Sequence, residues 1–224
     1  MILEPITSGN LALKPTDKRI VVNNHHKDRS QEVFPIKDKD VIQKIKSFYL
    51  ARRRYRDYAL FCFGINVGMR CGDMLRLKWS DLLDEDGAIV EQFTIKEEKT
   101  NKFRTIHVNQ SAADGLRVYL EKGKHSDLAT GFIFNGKGTD QLKVNSVYRM
   151  LKRTAKKLNI RFNIGTHTLR KTFGYHQYKI NSKVDPDFLL RLQKMYKHSA
   201  PYVTLAYIGI ADEEEKRYYN NVNL

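Results

Sequence analysis

The chain has 224 residues, a mass of 26.2 kDa and a formal net charge of +15, because 40 Lys and Arg residues outnumber 25 Asp and Glu residues. At about 100 to 200 residues per domain, this length allows one large domain or two small ones and excludes a multidomain machine. Hydrophobic residues make up 41%; since no run approaches the roughly 18 apolar residues of a membrane span, we expect a soluble protein whose basic charge suits nucleic acid.

The N-terminal segment, residues 1–33, is polar and is predicted to be an arm or tail, in which Ile20–Val22 is a short strand candidate. Residues 1–10 contain Glu4 and Pro5 where a secretory signal needs a positive region and a long apolar run, so we expect a cytoplasmic protein. The chain has two cysteines, Cys62 and Cys71, and no paired histidines at ligand spacing. A disulfide scaffold is excluded, and no metal site is predicted.

Helical periodicity begins near Asp38, where apolar residues recur on one face. A nearly all-apolar segment, residues 58–67, predicts a second helix that is buried. The basic run between them, residues 51–56, is compatible either with contact to a DNA backbone or with a solvated surface. The apolar face of the first helix comprises Val41, Ile42, Ile45, Phe48 and Tyr49.

Two runs rich in β-branched and aromatic residues, 89–95 and 103–108, predict a β-hairpin with a polar tip at residues 97–102. A helix is predicted over 111–120, a short strand or loop at 132–134 between glycines, and another helix over 144–158. The pattern as a whole predicts a mostly helical α+β fold with one small antiparallel sheet.

Charge is distributed unevenly along the chain. Residues 141–180 contain ten Lys or Arg and no Asp or Glu. A helix face that serves solubility alone normally mixes both signs, so this stretch favours phosphate binding. We predict that DNA contacts Arg53, Lys102, Arg149, Lys152, Arg153, Lys156, Lys157 and Lys171.

Cleavage of a phosphodiester without a metal requires fixed cations around the non-bridging oxygens, a nucleophile and a proton donor for the leaving oxygen. Arginine suits the first task, and tyrosine or serine can hold the phosphate covalently. Arg70 follows the apolar helix, and His167 and Arg170 have the i,i+3 spacing of one helix face. The remaining candidates are Lys99 at the hairpin tip, His198, and Tyr207 nine residues later.

In this order, these residues resemble the catalytic domain of the tyrosine recombinases, also called the phage integrase family. The resemblance covers about residues 35–210 and rests on four segments. They are Gly68–Asp81 with Arg70 and its Leu-x-Leu-x-Trp-x-Asp sequence, Lys99–Arg104, His167–Arg170, and the spacing from His198 to Tyr207. The resemblance implies the DNA breaking-rejoining enzyme fold over residues 34–210, followed by a C-terminal tail at 211–224.

The resemblance also implies site-specific recombination or integration of DNA, as for a mobile element, through a 3′-phosphotyrosyl intermediate. Tyr207 is then the nucleophile, Lys99 the general acid with Lys102 as its rival, and His167 the residue that assists proton transfer to and from Tyr207. Arg70, Arg170 and His198 hold the phosphate oxygens. No cofactor, metal or ATP is implied. The partners are double-stranded DNA and other copies of the chain, four on two paired sites, with a monomer or weak dimer off DNA.

Two departures from the family pattern stand out. Lys197 occupies a position where the family usually has glycine, and a residue with a side chain makes some backbone geometries costly. Few residues precede the catalytic part, whereas most members carry a separate helical domain there, so we expect the basic face, the N-terminal arm and assembly to supply DNA affinity. The tail, with Tyr218, Tyr219, Val222 and Leu224, could dock on a neighbouring subunit or on its own domain.

Three other functions are alternatives to recombination for a basic chain with these residues. A non-cleaving DNA-binding regulator of the same fold would not need the complete residue set. A type IB topoisomerase shares the tyrosine chemistry but relaxes DNA without pairing two sites. A metal-dependent relaxase needs a pair of metal-ligating histidines, and the adjacent His25 and His26 lie in the predicted arm.

Overall fold

The computed structural model describes residues 32–99, 101–125, 127–136 and 140–222. Residues 1–31 of the predicted arm lie outside the described residues, and they include Ile20–Val22 and the histidine pair. None of the described helices has the length and apolarity needed to cross a membrane.

The described residues form a mostly helical fold with one β-hairpin, as the sequence predicts. The helices that precede the hairpin are α1 (Lys39–Ala51), α2 (Tyr55–Val67) and α3 (Cys71–Leu75), and a 3-10 turn follows at Trp79–Asp81. The strands are β1 (Gln92–Lys96) and β2 (Phe103–His107). After them come α4 (Gln110–Lys122), α5 (Val144–Lys157), α6 (Thr166–Asn181), α7 (Phe188–Tyr196), α8 (Pro201–Tyr207) and α9 (Ala211–Asn221).

Helix α2 is the centre of the main core, as its apolar sequence predicts. It packs against α1, α4 and α6, and Phe61 and Phe63 are fully buried. The helix ends at Gly68, where φ is +63° and a Cβ atom would lie 2.4 Å from the ring of Phe173. Only glycine fits that turn without strain, and the turn delivers the chain directly to Arg70.

A second, smaller core lies beneath α6, α7 and α8. It joins Phe173, Tyr175, Leu192, Tyr196 and Ile208, and the ring of Tyr207 packs against it. This core holds the last two turns before Tyr207 against α6, which carries His167 and Arg170.

The hairpin pairs β1 with β2 in antiparallel register, from Gln92 opposite His107 to Lys96 opposite Phe103. The first strand begins at Gln92, three residues later than predicted, because Ile89 pairs with Leu83 in a separate bridge. The segment at 132–134 does not form a continuous strand. Phe132 makes only an isolated antiparallel bridge with Lys78.

Two polar segments make contacts that their sequences alone do not show. Glu97, at the start of the predicted polar tip, is only 2% exposed. Residues 211–221 of the predicted tail form α9, whose Glu213 accepts hydrogen bonds from Lys37 Nζ at 2.7 Å and Tyr175 Oη at 3.2 Å. The start of the tail therefore packs on its own domain, while Tyr218, Tyr219 and Val222 are exposed.

Candidate active site

A cleft of about 430 Å³ opens where the start of α3, the hairpin tip and the start of α6 meet. Two predicted cations and a predicted histidine line it. The full lining comprises Arg70, Cys71, Gly72, Asp73, Glu98, Lys99, Val144, Thr166 and His167.

Arg70 precedes α3 as its N-cap residue and has extended backbone dihedral angles. Its Nη1 atom lies 3.1 Å from Oε1 of Glu97 and 3.9 Å from Oδ2 of Asp73. The side chain remains 23% exposed, so the guanidinium is held from the protein side while part of the residue faces the cleft.

Arg170, one turn along α6 from His167, is buried. Its Nη1 donates to the carbonyl of Gly68 at 2.6 Å and its Nη2 to the carbonyl of Tyr196 at 3.4 Å. Burial lowers the pKa of this guanidinium, and the positive charge of Arg70 lowers it further. Arg170 nevertheless remains cationic, because arginine is protonated at all ordinary pH values.

His198 follows the C-terminus of α7. Its Nδ1 lies 3.0 Å from Oγ1 of Thr204, and its ring centroid lies 5.0 Å from that of Tyr207. Burial, followed by the charges of Arg170 and Arg70, lowers the pKa of His198. Lys197, just before it, has φ +57° and ψ +41°, the left-handed conformation that glycine adopts more easily, so the departure from the family pattern is costly as predicted.

Tyr207 is the last residue of α8, and its hydroxyl oxygen lies 3.2 Å from Nδ1 of His167. Its ring packs on Tyr196 with a centroid distance of 5.6 Å. Burial raises the pKa of Tyr207, and the charges of Arg170 and Arg70 oppose that rise. Tyr207 is therefore partly buried, with its ring packed on the smaller core. Its hydroxyl nevertheless reaches His167, the histidine that is predicted to assist catalysis.

Positively charged side chains lie near both His167 and the phenol of Tyr207. Burial, then Arg170, Lys171, Arg70 and Lys99, lower the pKa of His167. Among the residues that the structure describes, no three His, Cys, Asp or Glu side chains lie together as metal ligands would.

Comparison with protein-family models places the sequence. The model described as "Phage integrase family" matches residues 18–214. The chain belongs to the phage integrase family, the tyrosine recombinases. It is 33% identical over 187 residues to "Probable integrase/recombinase YoeC" of Bacillus subtilis (strain 168), a match covering 84% of this chain and 95% of YoeC.

Longer relatives share only part of their length with this phage integrase family member. Tyrosine recombinase XerC of Caldanaerobacter subterraneus subsp. tengcongensis is 25% identical over 167 residues, which cover 74% of this chain and 44% of XerC. Tyrosine recombinase XerD of Staphylococcus saprophyticus is 24% identical, and the chain covers 54% of it. The chain thus spans about half the length of these two relatives.

Solved structures support the same fold. XerA recombinase superimposes with a TM-score of 0.63 at 19% identity, covering 85% of this chain and 65% of XerA. XerH, in a post-cleavage complex with a palindromic difH substrate, gives a TM-score of 0.62 at 18% identity and covers 87% of this chain and 55% of XerH. The expected tyrosine recombinase fold is confirmed.

Most residues predicted to contact DNA lie on the surface of this integrase-family chain. Arg149, Arg153, Lys156 and Lys157 are exposed on α5, and Lys102 is exposed on the hairpin. Lys152, also on α5, is partly buried and donates to Oδ1 of Asn163. Their contact with DNA stays a prediction.

Lys171 and Arg53 differ from the α5 residues in their surroundings. Lys171 is only 6% exposed; its Nζ pairs with Glu32 at 3.1 Å and lies 5.2 Å from the ring centroid of Tyr207. It lies beside Tyr207, and its contact with DNA stays a prediction. Arg53 lines a separate basic cleft of about 890 Å³ together with Arg54, Arg56, Lys122 and Lys124. This cleft lies at the N-terminal end of α2, about 20 Å along the helix from the C-terminal end that leads to Arg70.

Glu97 and Arg104 also belong to this site, although neither is among the residues predicted for it from the sequence. In β1 and its continuation, Phe93, Ile95 and Glu97 occupy alternate positions, and Phe93 and Glu97 are buried. Arg104 and Ile106 likewise share the inward face of β2. Extending the period-two alternation of the hairpin to its tip would have placed both charged side chains inside the protein.

Proposed function

We propose that this protein breaks and rejoins DNA at specific sites, with Tyr207 as the nucleophile that forms a 3′-phosphotyrosyl link. Family membership and fold support site-specific recombination in general terms. The observation that carries the finer proposal is the 3.2 Å separation between the Tyr207 hydroxyl and Nδ1 of His167, next to two arginines.

The cleavage step follows from the positions of these groups. The Tyr207 oxygen attacks the scissile phosphorus, and neutral His167 accepts the phenol proton. Arg70, Arg170 and His198 hold the non-bridging oxygens, whose charge grows in the transition state. The bond from phosphorus to the 5′ oxygen breaks, and Lys99, exposed on the cleft wall, protonates that oxygen as it leaves.

Rejoining reverses these steps. A 5′-hydroxyl from the same strand or another strand attacks the phosphotyrosine and gives its proton to Lys99. His167 returns its proton to the Tyr207 oxygen as the phosphorus–tyrosine bond breaks, and the phosphodiester is restored. Because the covalent link retains the energy of the cleaved bond, no ATP is required.

The proposed substrate is double-stranded DNA. Among the structural neighbours, XerH is bound to difH substrate and the Tn1549 transposon integrase is in complex with circular intermediate DNA. For this chain, the proposal includes DNA binding by the α5 surface and assembly of four copies on two duplexes. It also takes residues 34–210 as the catalytic part and residues 211–224 as the tail.

The test is a nicked suicide duplex made from DNA to which the protein has been mapped in cells, since the nick allows the cleaved end to diffuse away. Wild-type protein should accumulate a covalent adduct in the presence of a chelator, whereas Tyr207→Phe should give none. Tyr202→Phe is the matched control, because Tyr202 lies on the same helix and is 72% exposed.

Each alternative function has its own outcome. Wild-type protein that binds but never forms an adduct is a DNA-binding regulator, and an adduct that needs a divalent metal indicates a relaxase. Relaxation of supercoils without exchange between two paired sites indicates a topoisomerase.

A further inference from the structure

A single buried carboxylate connects three parts of the proposed site. Glu97, at the base of the hairpin tip, is 2% exposed. Its Oε1 lies 3.1 Å from Nη1 of Arg70 and 3.6 Å from Nη1 of Arg104, and its Oε2 lies 2.5 Å from Nζ of Lys197. The three cations come from α3, the second strand and the turn after α7.

The charge balance explains why an acid is needed here. Arg70 and Arg104 both approach Oε1 of Glu97, and burial followed by the Arg170 charge lowers the pKa of Arg104, whereas Glu97 raises it. A buried carboxylate is costly unless it is well paired, and a cluster of buried cations is costly without one. Glu97 offsets both costs.

Glu97 also fixes the orientation of Arg70. The Nη1 atoms of Arg70 and Arg104 are buried and donate no hydrogen bond to any of the described residues. The electrostatic attraction of Glu97 therefore holds this end of the Arg70 guanidinium, while the residue also lines the cleft.

Lys197 contributes a side-chain ion pair with Glu97 that a glycine at this position could not make. Its backbone adopts the left-handed conformation at φ +57°, which disfavours a residue with a side chain, yet its ammonium pairs with Glu97 across 100 residues of sequence. The pair ties the turn that presents His198 to the hairpin that carries Lys99, two residues after Glu97.

We propose that Glu97 is a positioning residue for cleavage: it orients Arg70 and, through Lys197, holds the hairpin with Lys99 against the turn with His198. Glu97 itself does not touch the DNA. This inference rests on the proposed function, because it concerns the geometry of that active site.

The experiment measures single-turnover adduct formation on the nicked duplex at saturating protein, together with DNA affinity and thermal unfolding. Glu97→Gln should slow cleavage about 10- to 100-fold, as displaced catalytic groups do, with DNA affinity unchanged or increased because a negative charge is lost. Glu91→Gln is the matched control, since Glu91 is an exposed glutamate directly before β1 and does not line the cleft. It should cleave at the wild-type rate.

Double variants separate positioning from general damage. If Glu97 acts through Arg70 and Lys197, Glu97→Gln in an Arg70→Ala background should slow cleavage by no more than the several-fold effect of losing the Lys197 pair, well below its effect in the wild type. Lys197→Gln should slow cleavage several-fold in the wild-type background and have no added effect when combined with Glu97→Gln.

Three results overturn the inference. They are wild-type cleavage by Glu97→Gln, full additivity with Arg70→Ala, and, should Glu97→Gln not fold, wild-type cleavage by a folded Lys197→Gln protein. Absence of an adduct with wild-type protein overturns the proposed function and this inference together, whereas a wild-type adduct that is insensitive to Glu97→Gln overturns this inference alone.

Discussion

Nδ1 of His167 lies 3.2 Å from the hydroxyl oxygen of Tyr207, although 40 residues separate the two in sequence. Burial and the neighbouring cations lower the pKa of His167 below its ordinary value of about 6.5. Burial raises the pKa of Tyr207. At neutral pH the pair is therefore a neutral imidazole facing a neutral phenol, which is the arrangement that the proposed proton transfer requires.

The first prediction concerns this pair. In the DNA-free protein His167 should titrate below pH 6.5, as measured by NMR, and Arg70→Ala should shift the midpoint upward because one positive charge is removed. His167→Gln should slow cleavage about 10²- to 10⁴-fold, the usual contribution of a general base. A wild-type midpoint above 6.5 would contradict the assignment.

The same shift affects stability. Since the folded protein binds the His167 proton less readily than the unfolded chain, the unfolded state gains protons as the pH falls below about 6.5. The free energy of unfolding should therefore decrease between pH 7 and pH 5, and His167→Gln should reduce that slope in denaturant titrations.

The second prediction identifies the general acid. Lys99 lines the cleft, whereas Lys102 is exposed on the hairpin and does not. Lys99→Ala should lose most cleavage activity on an ordinary substrate and recover it when sulfur replaces the bridging 5′ oxygen, because a thiolate leaves without protonation. Lys102→Ala should not show this selective rescue; if it does and Lys99→Ala does not, the roles are exchanged.

Regular patterns allowed much of the fold to be predicted. The apolar segment at 58–67 marks α2, the alternating runs mark the hairpin, and the spacing of His167 and Arg170 places both on α6. Local sequence determines these features, because side-chain periodicity reports which face is buried. The spacing from His198 to Tyr207 became informative only through resemblance to a family, since twelve tyrosines compete on composition alone.

Long-range pairing could not be predicted in the same way. Glu97 is surrounded by polar residues in sequence, and its burial depends on Arg70, Arg104 and Lys197, which lie 27, 7 and 100 residues away. Lys171 sits in the most basic stretch of the chain, yet it is buried against Glu32 and Tyr207. A charged side chain can be buried when an oppositely charged side chain pairs with it. That partner often lies far away in sequence, so the local sequence around the buried residue does not reveal it.

The third prediction separates the two arginines. Arg170→Ala and Arg70→Ala should each slow cleavage about 100-fold or more, because each removes a fixed cation from the phosphate. Arg170→Ala should also destabilise the fold, by about 1 to 3 kcal/mol, since it leaves the carbonyls of Gly68 and Tyr196 without a donor. Arg70→Ala should destabilise it less, because buried Glu97 keeps Arg104 and Lys197 as partners.

The control for both is Arg117→Ala, which removes an exposed arginine paired with Asp114 at 2.7 Å. Exposed pairs contribute little to stability, so this variant should match the wild type in denaturant unfolding and in adduct formation. Near-normal cleavage by Arg70→Ala or Arg170→Ala would mean that the phosphate binds elsewhere.

The fourth prediction tests the α5 surface as the DNA contact. Each Lys or Arg that neutralises a phosphate contributes about 0.9 to the slope of log affinity against log salt, because it releases condensed counterions. Lys156→Gln combined with Lys157→Gln should therefore weaken binding and reduce that slope by up to about 2, while the rate of adduct formation at saturating protein stays unchanged, since neither residue lines the cleft. Lys183→Gln combined with Lys216→Gln removes the same charge from other exposed positions, and fluorescence anisotropy across a salt series compares the two proteins. An equal change of slope in both would show that net charge alone, and not the α5 surface, governs binding.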